Sequence, residues 1–156
     1  RLPMKKFVAV LLAAMLCLSF AACGGEKATD KTVDAAAMFK ALLNDVTYTD
    51  NATELDSSMA GVLLGGELPD GTEAYLAAND SAYLRCAVFA CKDKDAAAAV
   101  KKLIQTYIDD SIDAKYNVDE VALLQNAKIH SMGNYVAVAV TSDTDNVNKV
   151  IDQYFA

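Results

Sequence analysis

The sequence holds no tryptophan, one histidine, two prolines and four cysteines in 156 residues. Each scarcity narrows the chemistry. A zinc site takes several Cys, His or acidic ligands at short spacing, and His130 with cysteines at 17, 23, 86 and 91 does not supply that pattern. A serine or cysteine nucleophile needs a base beside it. His130 is the only imidazole, it sits in an expected strand, and no Gly-x-Ser-x-Gly elbow occurs. Gly61–Glu67 contains glycines but no Lys-Ser/Thr after them, so it is not a phosphate loop. Asp143-Thr144-Asp145-Asn146 hints at a calcium loop, yet the central glycine and closing glutamate are missing. A turn and a helix cap are expected there. No cofactor motif is present. The paired carboxylates of a glycosidase meet only in three dimensions, so a small envelope hydrolase stays open as an alternative at this stage.

Positive charge is also scarce. Fourteen basic side chains stand against 21 acidic ones, a formal charge of −7. An acidic chain of this kind argues against nucleic acid and against electrostatic docking on anionic lipid.

The first stretch with a definite message is the N-terminal one. Lys5 and Lys6 follow Met4, and an apolar run from Phe7 to Phe20 follows them. A charged start, a short apolar run and a small-residue boundary describe a secretory signal peptide. The run falls short of the ~20 apolar residues that span a bilayer. It ends in Phe20-Ala21-Ala22-Cys23-Gly24-Gly25, which resembles a bacterial lipobox. That resemblance implies a diacylglyceryl group on the Cys23 sulfur and cleavage between Ala22 and Cys23. The covalent lipid is then the only prosthetic group expected, and the membrane is reached through it. Two acyl chains hold a protein firmly where one holds it marginally, at about 0.8 kcal/mol per buried CH₂. Removing residues 1–22 takes away Arg1, Lys5 and Lys6, leaving 11 bases, 21 acids and a formal charge of −10.

The expected organisation is a signal peptide over 1–22, a lipidated cysteine and polar tether over 23–33, and one domain over 34–156. A tether of this length averages roughly 17 Å end to end if flexible. Within the domain, Asp34–Asn44 reads as a helix capped by Asp34, with Met38, Phe39, Leu42 and Leu43 giving an apolar stripe. Thr53–Leu64 reads as a second helix, with Leu55, Met59, Val62 and Leu63 on one face, stopped by Gly65-Gly66. Pro69-Asp70-Gly71 is a turn. Glu73–Ala78 and Ala82–Lys92 read as a hairpin around Asn79-Asp80-Ser81. The second of these strands is apolar on both faces and so belongs in the middle of a sheet. Cys86 and Cys91 lie on it about 16 Å apart and on opposite faces, too far for a disulfide.

Asp95–Tyr116 is the longest expected helix, capped by Asp95, with Val100, Leu103, Ile104, Tyr107, Ile108 and Ile112 inward. Asp109 and Asp113 should face water. Asn117-x-x-Glu120 resembles a capping box opening a short helix to Leu124. Ala127–Met132 and Tyr135–Ser142 form a second hairpin about Gly133-Asn134, a type II′ signal that pairs Met132 with Tyr135 and Ile129 with Val138. Ile129, Val136, Val138 and Val140 then share the core face. Asp145–Phe155 is a closing helix. The expected fold is α+β: a mostly antiparallel four-stranded sheet, two hairpins split by a long helix, with helices packed on it.

Tyr83–Lys92 leading into the Asp95 helix, Tyr116-Asn117-Val118-Asp119-Glu120-Val121-Ala122, and Gly133-Asn134-Tyr135-Val136 resemble a family of small bacterial lipoproteins, domain of unknown function 4358. The resemblance spans about Asp45–Phe155. It implies a Gram-positive anaerobe and the outer face of its cytoplasmic membrane. No functional residue is carried over, because the family has no assigned activity.

A surface remains as the candidate site. Tyr75, Arg85, Phe89, His130 and Tyr135 are placed on the sheet face away from the valines, and aromatic-plus-arginine patches are what binding sites use. Helices covering that face are the competing reading. The expected function is a non-catalytic, lipid-anchored module for an envelope protein, peptide or cell-wall component. A solute-binding role is less expected, since 134 residues are few for a two-lobed binding protein.

Overall fold

The computed structural model describes residues 31–114 and 117–156. The leader, Cys23 and the tether up to residue 30 lie outside these, as does Tyr116. Within them the order is α1 (Ala35–Asp45), β1 (Thr53–Leu55), α2 (Met59–Leu64), β2 (Glu73–Ala78), β3 (Leu84–Ala90), α3 (Lys94–Ala114), α4 (Val118–Asn126), β4 (Lys128–Met132), β5 (Tyr135–Ala139) and α5 (Thr144–Phe155).

The sheet is antiparallel throughout, in the order β1-β2-β3-β5-β4. It is α+β as expected, but it has five strands and not four. The additional strand is β1, which pairs Thr53 with Ala78 and Leu55 with Leu76 on the outer side of β2. Three residues are too few to show a period of two, so Thr53–Leu55 reads as the start of the following helix. Asp56 breaks that helix. Its Oδ1 accepts from the Ser58 amide at 2.9 Å and the Ser58 hydroxyl at 2.6 Å, a local side-chain turn that competes with helix. What remains is the six-residue α2, closed by Gly65 at φ +74. Its inward residues are Ala60 and Leu64, whereas Met59 and Val62 point outward.

The second hairpin matches the expected register: Met132 opposes Tyr135, His130 opposes Ala137 and Ile129 opposes Val138. Gly133 at φ +58 makes the turn, a conformation glycine reaches without a Cβ penalty. β3 occupies the centre of the sheet, paired with β2 and β5.

Helices cover both faces. On one face α2, α3 and α4 pack with Leu76, Phe89, Val136 and Val138 around Val100, Ile104 and Ile108. On the other, α1 and α5 set Met38, Phe39, Leu42, Val147 and Val150 against Ala77, Cys86, Val88 and Ala137. The alanines at 77, 137 and 139 keep this second face flat enough for helices to approach closely. Val33, expected at the end of the tether, is buried in that same core.

Caps follow side-chain chemistry, with two departures. Asp34 caps α1 by accepting from Ala37 N at 2.9 Å. Asp143 caps α5 and also accepts from Thr47 N at 2.9 Å, so the acid run there is a cap and a loop tie. The cap of α3 is Asp93, which accepts from Ala96 N at 2.8 Å, and not Asp95. Asn117 caps α4 through Asp119 N at 2.9 Å, but the box is not closed, because Glu120 turns inward.

Candidate functional site

The inward turn of Glu120 leads to the only buried guanidinium of the described residues. Arg85 lies at an irregularity of the β2–β3 ladder: Ala77 pairs with Cys86, Ala78 pairs with Leu84, and Arg85 is the extra residue between them. A bulge of this kind resets the alternation. Leu84 therefore shares a core with Ala87 and Phe89 instead of with Cys86 and Val88. Arg85 is 1% exposed. Its Nε and Nη2 bond the two oxygens of Asp50 at 2.7 and 2.9 Å, and its Nη1 and Nη2 bond those of Glu120 at 2.9 Å each. Nη1 also donates to the Leu84 carbonyl at 3.2 Å. All five guanidinium donors are used.

Burial opposes the charge on Arg85, but the Asp50 and Glu120 carboxylates more than offset it, and the guanidinium is held firmly protonated. The same bonds hold the Asp50 carboxyl down at about 2. This cluster is a buried knot joining the loop before β1, the centre of the sheet and α4. Both oxygens of each carboxylate accept from Arg85, and Asp50 Oδ2 also accepts from Asn79 Nδ2 at 2.7 Å. A cleft of about 180 Å³ opens beside it, walled by Tyr83, Tyr107, Asn117, Val121 and Leu124. Among the described residues, no group of three or more His, Cys, Asp or Glu side chains is placed to hold a metal ion.

Phe89 is fully buried on the α3 face, among the valines and not opposite them. His130 is half-buried under α5, and its pKa is pushed down by burial and by Lys128, with Asp152 acting the other way. Tyr75 and Tyr135 do come together. They line one open cleft of about 400 Å³ with Val33, Asp34, Glu73 and Cys91. The sequence-derived patch of five residues thus resolves into a pair at a cleft, one residue under a helix and two in the core.

Tyr75 is the hinge of this region. Its ring stacks on Phe39 with centroids 6.2 Å apart, and its hydroxyl reaches Glu73 Oε2 at 3.4 Å. Burial, then the Glu73 and Asp34 carboxylates, push the phenol above its ordinary range. On the other side Tyr75 lines a second open cleft of about 390 Å³ with Ser57, Ser58, Leu68, Thr72 and Glu73. Two clefts therefore meet at one positioned aromatic ring. Sequence reasoning missed Asp50, Glu120, Glu73 and the α2 flank of this region. The signal for the first two was present: a lone arginine inside an apolar strand must have carboxylate partners if it is buried.

Fold and site together define a small α+β domain with helices on both faces of an antiparallel sheet, a buried Arg85–Glu120 pair tied to the exposed Asp50, and open clefts at the start of β2. Residues 69–141 match the family model described as Domain of unknown function (DUF4358), and this stretch belongs to that family. The match runs from the turn before β2 to just past β5, and so includes Arg85, Glu120, Tyr75 and Tyr135 but not α1, β1, α2 or α5. Neither the curated proteins nor the solved structures yielded a match.

Proposed function

We propose that the chain is a lipid-anchored domain on the outer face of a bacterial cytoplasmic membrane, and that it works by binding part of an envelope protein, peptide or cell-wall component. The observation that carries the binding reading is the pair of clefts meeting at Tyr75. Binding sites favour aromatic side chains that are rigid before the partner arrives, because little conformational freedom is then lost. Tyr75 is held by Phe39 and Glu73 and still borders solvent. The anchoring reading is supported by the lipobox at Phe20–Cys23. The tether would meet the domain at Val33, which lines the Tyr75–Tyr135 cleft. A partner held there would lie on the side of the domain nearest its attachment.

The test is site-specific photo-crosslinking on intact cells. A benzophenone amino acid at position 75 is expected to yield a discrete adduct with an envelope component, identified by mass. The same group at Asp109, exposed on α3, is expected to yield none. Identical adducts from both positions would contradict the reading. So would hydrolysis of peptidoglycan or peptide by the purified protein that one point substitution abolishes.

A further inference from the structure

Among the described residues three large apolar side chains are exposed, and two of them, Met59 at 42% and Val62 at 74%, stand one turn apart on α2. Ser57–Gly66 contains no charged residue. An uncharged helix presenting apolar side chains to water at i and i+3 is unusual on a chain that is 22% charged. Its borders are all of one sign. Asp56 turns the chain into α2, Glu67 and Asp70 follow it, and Glu73 lines the same cleft as Ser57 and Ser58. All four acids are exposed.

No base from this part of the chain offsets them. Between Ala41 and Cys91 there are eight acids and one base, Arg85, and Arg85 is buried against Asp50 and Glu120. Lys40 is engaged by Glu54. Lys92 packs beside Gly71 at the outer end of the rim. Among the described residues, no ion pair joins a lysine to Asp56, Glu67, Asp70 or Glu73. An anionic bilayer would be repelled by such a rim, and neutral lipid would leave four carboxylates at the interface with no partner.

We infer that α2 and its acidic rim form a docking face for a basic segment of a partner polypeptide. An apolar side chain of that segment packs on Met59 and Val62, and flanking lysines or arginines meet Asp56, Glu67, Asp70 and Glu73. This deepens the binding reading, on which it rests, by naming the class of partner. It does not depend on the lipid.

The test uses the full chain in neutral lipid nanodiscs and two fluorescein-labelled heptapeptides, each of six lysines around one central residue. That residue is leucine in one peptide and serine in the other. The leucine peptide is expected to bind about fivefold more tightly than the serine peptide, from partial burial of one side chain. The substitutions Met59→Ser and Val62→Ser together should erase that difference. The triple variant E67Q/D70N/E73Q should weaken both peptides by about tenfold or more. The variant D109N/D110N/D113N changes the charge equally on exposed positions of α3, and should weaken them less than about threefold. Equal loss in the two triple variants, equal binding of the two peptides, or no binding would overturn the inference. So would binding of empty neutral vesicles that depends on Met59 and Val62, which would assign the face to lipid. If the peptides fail while position 75 still crosslinks on cells, the α2 face is wrong and the binding reading stands. If both fail, the binding reading is wrong as well.

Discussion

Glu120→Leu is expected to cost the domain about 3–5 kcal/mol, the price of leaving a buried charge half-paired. Arg85 is 1% exposed and spends two of its five donors on Glu120. Leucine removes both acceptors and offers no polar atom in their place. Two lost charge-assisted bonds at about 1.5–3 kcal/mol each give a similar figure by an independent route. Against a total stability of about 5–15 kcal/mol, that is about a fifth of the fold or more. With a urea slope of about 1–3 kcal/mol per molar, the unfolding midpoint should fall by about 2 M. Asp50→Asn should cost less. The Asp50 side chain is 39% exposed, and its shift from 3.8 to about 2 corresponds to at most ~2.4 kcal/mol before solvent screening and about 1 kcal/mol after it. The decisive variant is R85M/E120L. It removes the buried cation as well, and leaves Asp50 able to turn to water, so it should be more stable than E120L alone. An E120L cost under about 1 kcal/mol, or a double variant no better than E120L, would refute the buried-knot account. The sign of the pH dependence follows. Asp50 is depressed in the native state, so the unfolded chain binds more protons between about pH 4 and pH 2. Stability is present above that window and is lost as pH falls through it, and R85M should remove that part of the acid slope.

Three further outcomes are expected. Ala82 sits at φ +62 in the turn between β2 and β3, so Ala82→Gly should raise stability by about 0.5–1 kcal/mol in urea unfolding, and a loss instead would contradict the strained turn. Cys86 and Cys91 are buried free thiols, and burial pushes Cys86 up to about 11. Peptide-level mass spectrometry should find both unlabelled by a thiol reagent at pH 7 in native protein and both labelled in urea; native labelling of Cys86 would contradict its place under α1. His130 should titrate below 6.5 by NMR, because burial and Lys128 disfavour its cation. Stability should therefore fall as pH drops through 6.5, and His130→Gln should flatten that slope.

The parts of the fold legible in the sequence are those set by local chemistry. Gly133 fixed one turn, and with the alternation of Val136, Val138 and Val140 it fixed the register of β4 and β5. Asp34 and the Met38–Leu42 stripe marked α1. The parts that were not legible depend on distant partners. β1 exists because the edge of β2 accepts it, and three residues carry no period of their own. Arg85 sits 35 residues from each of its two carboxylates, and the bulge it occupies moves Leu84 onto the face of Ala87. The sequence pattern sets Phe89 beside Tyr75, but the register across strands sets Phe89 opposite Ala74 and Val136 on one face and Tyr75 opposite Val88 on the other. Glu120 matched a capping box in sequence, but the buried cation outcompetes one backbone amide for it. At the candidate site, Tyr75 and Tyr135 were readable as aromatic residues on strands. Their cleft was not, since it is completed by Val33 and Asp34, which lie about forty residues before Glu73 and Tyr75 on β2.

The central proposal is that the domain is held at the cell surface through Cys23, and one mass tests that attachment. The protein would be extracted from membranes of a Gram-positive host and compared with a Cys23→Ala version. A mass equal to residues 23–156 plus one diacylglyceryl group, lost in the Cys23→Ala protein, is the predicted result. Retention of residues 1–22, or a cleaved form free of lipid in the medium, would contradict it.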